Sequence, residues 1–251
     1  ITSDTEDWNL VDATWGSLAV SSITYDPNNT NIMYVGTGER MGNYTSDGSN
    51  WYSPGVSKGL GIWKTTDGGS TWAQLPDCIY FSFVNDIVVR NENGTSVIYA
   101  GVGGNEFEGS YVGREFTGVW KSADGGVNWT RAFDGADSQE TTGYKEFSSI
   151  DIDSNNRIWA GTRMNAYWAG GGEIFYSDDG ATWAKASWKS SVGGTPNRVI
   201  ISAAASDPNY IYALISNNVD NKANWVAKST DNGTTWTCLL YTSDAADEVV
   251  S

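Results

Sequence analysis

One pattern recurs four times and limits what this chain can fold into more than any other feature. An aspartate-turn motif appears as Thr65-Thr-Asp67-Gly-Gly69-Ser-Thr71-Trp72, Ser122-Ala-Asp124-Gly-Gly126-Val-Asn128-Trp129, Tyr176-Ser-Asp178-Asp-Gly180-Ala-Thr182-Trp183 and Ser229-Thr-Asp231-Asn-Gly233-Thr-Thr235-Trp236. The tryptophans at 72, 129, 183 and 236 are spaced by 57, 54 and 53 residues. Other short phrases keep the same phase. Each motif follows an apolar run: Gly61-Ile-Trp-Lys64, Gly118-Val-Trp-Lys121, Glu173-Ile-Phe175 and Trp225-Val-Ala-Lys228. Further upstream stand Ile32-Met-Tyr-Val-Gly36, Val97-Ile-Tyr-Ala-Gly101, Arg157-Ile-Trp-Ala-Gly161 and Tyr210-Ile-Tyr-Ala213. Earlier still are Ser22-Ile-Thr-Tyr-Asp26, Asp86-Ile-Val-Val89, Ser149-Ile-Asp-Ile152 and Val199-Ile-Ile-Ser202.

Each unit reads as four short strands, A to D, rich in β-branched and aromatic residues and joined by turn chemistry. Asp26-Pro-Asn-Asn-Thr30 and Asp207-Pro-Asn209 link A to B, with proline presetting φ and Asn or Asp tolerating left-handed backbone. No segment carries a helical period. Four-stranded units of this length predict an all-β fold, a β-propeller of four-stranded antiparallel blades. The expected units are blade 1 at 17–76, blade 2 at 77–133, blade 3 at 134–187 and blade 4 at 188–237, an incomplete ring. Residues 1–16 are expected to be an end strand of a preceding or closing blade, because Asp7-Trp8-Asn9-Leu10 echoes Thr71-Trp72-Ala73-Gln74.

The motifs resemble the Asp-box (BNR) repeats of sialidases, xyloglucan-cleaving glycoside hydrolases and sortilin-type receptors, from about Ser17 to Trp236. That resemblance implies a box in each C–D hairpin at the blade rim, remote from any substrate. Within a box, Asp67, Asp124, Asp178 and Asp231 would accept backbone N–H bonds across the turn. Gly69, Gly126, Gly180 and Gly233 would take positive φ, and Trp72, Trp129, Trp183 and Trp236 would pack between sheets. Unit three departs from the family pattern with Tyr176 where Ser or Thr is usual. Residues 238–248, Cys-Leu-Leu-Tyr-Thr-Ser-Asp-Ala-Ala-Asp-Glu, resemble a translated sequencing-library adapter, which implies a non-native tail over 238–251. The chain also opens at Ile1 without a start methionine, as a mature or truncated N-terminus would.

Composition narrows the chemistry. Thirty acidic against 15 basic residues give a net charge of −15, which argues against nucleic acid, since phosphate binding needs a basic face. The absence of histidine excludes the usual Ser-His-Asp and Cys-His nucleophiles and His-containing zinc sites. No apolar stretch is long enough for a transmembrane helix. Cys78 and Cys238 allow one disulfide at most. No EF-hand-like spacing occurs, so neither a metal nor a cofactor is expected. The acidic, nearly thiol-free composition is compatible with a secreted or cell-surface location.

In a four-stranded meander the A–B turn and the box share one face, which leaves the B–C loops and D–A links on the other. The B–C loops are long: Thr37–Gly59, Val102–Thr117 and Thr162–Gly171. Long loops on a rigid scaffold concentrate function. Trp51, Tyr52, Tyr111, Arg114, Tyr167 and Trp168 are the candidate ligand-binding residues, since aromatics beside hydrogen-bonding groups suit sugar rings. Most other tryptophans belong to the repeat. Glu39, Asp47, Glu106, Glu108 and Glu115 are the carboxylates from which a glycosidase pair would come. The expected function is a non-catalytic propeller module that presents this face to a glycan or protein ligand, with further propeller blades of the same native chain as another expected partner. The alternative is a fragment of a xyloglucanase-like glycoside hydrolase cleaving neutral polysaccharide with two carboxylates. Sialidase activity fits poorly: no Arg-x-Pro occurs, and an acidic surface repels an anionic sugar.

Overall fold

A computed structural model describes residues 15, 19–40, 45–46, 51–52, 56–108, 110–135, 145–164, 171–191, 194–217 and 222–241. They form successive antiparallel meanders in which A pairs B, B pairs C and C pairs D. Blade 1 comprises Val20–Asp26, Asn29–Thr37, Ile62–Thr65 and Ala73–Gln74. Blade 2 comprises Phe83–Glu92, Thr95–Gly103, Gly118–Ser122 and Thr130–Phe133. Blade 3 comprises Glu146–Ile152, Ile158–Arg163, Ile174–Ser177 and Ala184–Lys185. Blade 4 comprises Pro196–Ala203, Ile211–Asn217, Ala223–Ser229 and Thr237–Tyr241. Apart from Trp15, the end strand expected over 1–16 lies outside the described residues.

Two details of blade 4 differ from the sequence reading. Its last strand crosses the boundary expected after residue 237, with Trp225 opposite Tyr241 and Lys228 opposite Thr237; backbone pairing is indifferent to side-chain identity. In strand A, Ile201 stands opposite Ala213 as Ile87 stands opposite Ala100, so the equivalent phrase starts one residue later than Val199. Cys78 and Cys238 sit on different blades and form no disulfide.

The A–B turns explain the local folding. Asp26 Oδ1 accepts the Asn28 amide at 2.8 Å, and Asp207 Oδ1 accepts that of Asn209 at 3.0 Å. In blade 2, Asn93 and Gly94 both take positive φ (53° and 89°), the mirror-image turn whose twist matches a hairpin.

Three apolar clusters correspond to the three blade junctions. One joins Tyr34, Ile62 and Leu75 to Val84, Ile87 and Ala100; the next joins Tyr99 and Val119 to Phe147, Ile150 and Phe175; the third joins Trp159 and Ile174 to Val199, Ile201 and Trp225. An aromatic residue ahead of each blade's first strand enters these junctions. Phe81 lies 5.1 Å from Trp120 and 5.7 Å from Trp129, Phe133 lies 5.0 Å from Phe175 and 5.2 Å from Trp183, and Trp188 joins Trp236 in the third cluster. Trp15 does the same at blade 1, stacking on Trp63 at 4.8 Å and meeting Trp72 edge-on at 5.6 Å.

Polar bonds stitch the innermost strands. Ser22 Oγ accepts the Ile87 amide, Asp86 Oδ2 the Ile150 amide, and Ser149 Oγ the Ile201 amide, at 3.1, 3.0 and 2.8 Å. Burial holds the Asp86 and Asp151 carboxyls above the usual carboxylate range.

In the first box, Asp67 Oδ1 accepts the Thr71 amide at 2.9 Å and the Thr65 hydroxyl at 2.7 Å, while the Trp72 indole donates to Gly69 O at 3.0 Å. The second and fourth boxes repeat the scheme through Asp124 and Asn128, and through Asp231 and Thr235. The third corrects the sequence reading. Asp179, not Asp178, takes the amides of Ala181 and Thr182 at 2.8 and 2.6 Å, and Ser177 Oγ takes the Gly180 amide at 2.8 Å. This turn is one residue shorter between its hydroxyl residue and its tryptophan, so counting back from Trp183 lands on the wrong aspartate. Ser177 therefore fills the role for which Tyr176 looked anomalous.

Candidate functional site

The box face is committed to structure. Hydrogen bonds from the Thr71 hydroxyl and amide hold the Asp67 carboxyl down at about 2, and the Asn128 amide and side chain do the same for Asp124, also at about 2. Both oxygens of each carboxylate accept hydrogen bonds inside the turn, which accounts for the low values and ties these groups to the box.

On the opposite face, loop one pairs Glu39 with Ser57 and Arg40 with Val56, and a second short hairpin pairs Thr45 with Tyr52 and Ser46 with Trp51. Loop two pairs Asn105 with Val112 and Glu106 with Tyr111, then turns at Glu108 (φ 50°). Its 3-10 helix Arg114–Phe116 starts from Gly113 at φ 72°. Val56–Ser57 of loop one lies beside Asn105–Phe107 of loop two, which brings the two loops together. Of the sequence candidates, Glu108, Arg114 and Glu115 are exposed on this face. The backbones of Glu39, Trp51, Tyr52, Glu106 and Tyr111 sit on these hairpins, whereas Asp47, Tyr167 and Trp168 lie outside the described residues. Among the described residues, no group of three or more Asp, Glu or Cys converges as a metal ion would require.

The D–A link adds what the sequence reading missed. After the 3-10 turn Pro76–Cys78, Tyr80 projects onto the loop face with 63% of its surface exposed. Its ring stacks on Phe116 at 5.9 Å and 12°. Phe116 is fixed from behind by Phe81 at 6.0 Å and Trp120 at 6.1 Å, and the Trp120 indole donates to the Phe116 carbonyl at 2.6 Å. The guanidinium of Arg131 lies 5.0 Å from the Trp120 ring. The result is a rigid aromatic platform with one accessible ring, flanked by Arg114 and Glu115 from the helix that carries Phe116.

A second polar group lines the same strand ends at the junction of blades 3 and 4. Glu146 pairs in register with Arg163, and Arg163 with Arg198, across three strands. Burial lowers the Arg163 guanidinium to about 10, and burial together with the neighbouring Arg163 charge lowers that of Arg198. Nearby, Glu173 is buried and held by Lys185 at 3.0 Å and Lys189 at 2.5 Å. A β-carbon on Gly103 would lie 3.0 Å from Asn85 Nδ2 and 3.6 Å from Glu146 Oε2, so these two side chains converge there.

No family model matches the sequence, and no curated protein matches it. Solved structures do. An ancestral GH74 enzyme is similar at TM-score 0.58 and 20% identity over 92% of this chain and 25% of that one. The GH74 xyloglucanase of Xanthomonas campestris gives 0.55 and 14%, over 88% of this chain and 38% of its own. A protein of unknown function from Dyadobacter fermentans gives 0.52 and 18%, over 87% and 68%. The chain thus spans from a quarter to two fifths of these GH74 proteins and shares their propeller fold.

Proposed function

We propose that the chain is a glycan-binding propeller module of a secreted or cell-surface protein, with its loop face as the binding surface and no catalytic role of its own. The observation that carries this is the Tyr80–Phe116 platform. An exposed, immobilised aromatic ring offers the apolar face on which a pyranose stacks, and Arg114 and Glu115 supply a donor and an acceptor for its hydroxyls. Trp51, Tyr52 and Tyr111, whose backbones lie on hairpins of the same two loops, are the next residues to test for a longer ligand. A net charge of −15 favours an uncharged polysaccharide over an anionic one.

The GH74 likeness makes xyloglucan the first ligand to test, and it keeps open a second reading in which this chain is part of such a hydrolase, its carboxylates drawn from Glu39, Asp47, Glu106, Glu108 and Glu115. Affinity electrophoresis in gels containing xyloglucan or mixed-linkage glucan tests the first reading. The wild type should be retarded, and Tyr80→Ala should weaken retention about tenfold or more. Unretarded migration in every neutral polysaccharide would overturn it, whereas release of reducing sugar, abolished by one of the five carboxylate-to-amide substitutions, would replace it with the second.

A further inference from the structure

Four residues share one level where the strands of blades 3 and 4 end on the loop face. Glu146 stands opposite Arg163, Arg163 opposite Arg198, and Arg198 opposite Ser216, so the row crosses four adjacent strands of one sheet. Residues directly opposite in antiparallel strands project to the same side, which sets these side chains next to one another. The row reads acid, cation, cation, hydroxyl, with a single positive charge in excess.

The scaffold does not call for charge at this level. In each of blades 2 to 4 the level lies three residues beyond Ala100, Ala160 and Ala213, which stand opposite Ile87, Ile150 and Ile201. Blade 2 fills it with Phe83, fully buried, opposite Gly103. Like charges directly opposite each other repel, and the Arg163 charge does lower the Arg198 guanidinium. Glu146 supplies an acid beside Arg163. Arg198 has no such neighbour: among the described residues no hydrogen bond or ion pair reaches its guanidinium, and its Nε is buried without an acceptor. Arg198 and Ser216 both stay partly exposed.

We propose that Arg198, with Arg163 and Ser216 on either side, binds the carboxylate of a small monoanionic ligand at the loop-face end of blades 3 and 4. A planar guanidinium presents parallel N–H donors that match the two oxygens of a carboxylate, and the Ser216 hydroxyl adds a further donor beside them. The charge of the row selects among anions. One excess positive charge matches one negative charge, whereas Glu146 and the net charge of −15 disfavour a second, such as sulfate carries.

An NMR titration of the isotope-labelled protein with sodium acetate, at an ionic strength held constant with sodium chloride, tests this. The signals to follow are the Arg198 Nε–H and the backbone amides of Arg198 and Ser216. Acetate should shift them saturably, and sodium sulfate should bind about tenfold or more weakly. Arg198→Gln should weaken acetate about tenfold or more, read at Ser216. Arg198→Lys, which keeps the charge and loses the fork, should fall between that variant and wild type. Glu146→Gln removes the negative end of the row and should narrow the gap between acetate and sulfate about threefold or more. The proposal is overturned if acetate gives no saturable shift at Arg198 beyond that of chloride, if sulfate binds wild type as tightly as acetate does, or if folded Arg198→Gln and Arg198→Lys both titrate as wild type.

Discussion

The guanidinium of Arg157 closes on both carboxylate oxygens of Asp178, Nε to Oδ1 at 2.6 Å and Nη2 to Oδ2 at 3.1 Å, while its Nη1 reaches the Asn232 carbonyl of the next blade at 3.3 Å. Lys64 reaches Gly125 O at 2.9 Å and Arg90 reaches Asp178 O at 2.5 Å in the same way, so a cation from one blade caps the box turn of the next. Asp178 is therefore a partner of this contact, and the turn itself belongs to Asp179.

That division predicts an order of stabilities. Asp178→Ala removes an exposed ion-pair partner and should lower the melting temperature by only about 3 °C or less. Asp179→Ala strips the acceptor from the Ala181 and Thr182 amides and should cost roughly twice that or more. Differential scanning calorimetry of the two variants decides it; the reverse order would put the turn back on Asp178.

The sequence made the blades legible because everything that defines them is local. Alternating apolar residues, an Asx turn at Asp26 and a positive-φ pair at Asn93-Gly94 fix each hairpin within a few residues. What escaped depends on distances the chain does not display. Tyr80 becomes a binding candidate only when the fold brings Phe116 to its ring, and a link residue beside Phe81 gives no sign of which of the two is buried. Glu146, Arg163 and Arg198 align through an inter-blade bridge that no repeat period encodes. The loop carboxylates were legible as a group, but long irregular loops carry no periodicity that would show which of them meet.

Gly180 should prove irreplaceable for a reason outside its own turn. Its φ is +70°, and a β-carbon there would lie 1.8 Å from the Tyr99 hydroxyl of the preceding blade. Gly180→Ala should cost about 2–4 kcal/mol, from left-handed strain together with overpacking. Tyr99→Phe alone should cost about 1 kcal/mol through its lost bond to Glu92 at 2.7 Å. Combined, the two should cost less than their sum, because removing the hydroxyl relieves the closest contact. A urea-denaturation double-mutant cycle measures this, and strict additivity would show that Tyr99 is not what the new methyl meets.

Stability should vary with pH in two opposing steps. Asp86 and Asp151 have folded pKa values raised by burial, so their contribution is complete below the ordinary value of 3.8 and declines as pH rises through the raised values. Asp67 and Asp124, held at about 2, contribute fully above 3.8 and lose that contribution as pH falls towards about 2. The melting temperature should therefore pass through a maximum near about pH 4. Asp86→Asn, neutral throughout, should flatten the limb above the maximum and leave the acid limb in place; thermal scans from neutral to strongly acidic pH would show an unchanged upper limb if Asp86 were irrelevant.

Cys78 offers a direct probe of the junction between blades 1 and 2. Its side chain is fully buried beside Ile62, whose amide points at the sulfur at 3.3 Å, and burial pushes the thiol up to about 12. The thiolate is the reactive species, and at pH 8 it would make up only about one part in ten thousand of this group. Native protein should therefore leave Cys78 unmodified by a thiol reagent under conditions that label it at once in urea. Ile62 lies in strand C of blade 1, and Leu75, whose carbonyl takes the thiol at 3.4 Å, closes the same blade; labelling of Cys78 must wait for these elements to separate. Peptide-resolved mass spectrometry at rising urea should show the Cys78 label appearing with the loss of tryptophan fluorescence from Trp72 and Trp129. Labelling well ahead of that transition would mean that blade 1 opens on its own, as expected if the exposure of Ile23 on its first strand, 64% against 2% for Ile87 in blade 2, leaves it the least stable of the four.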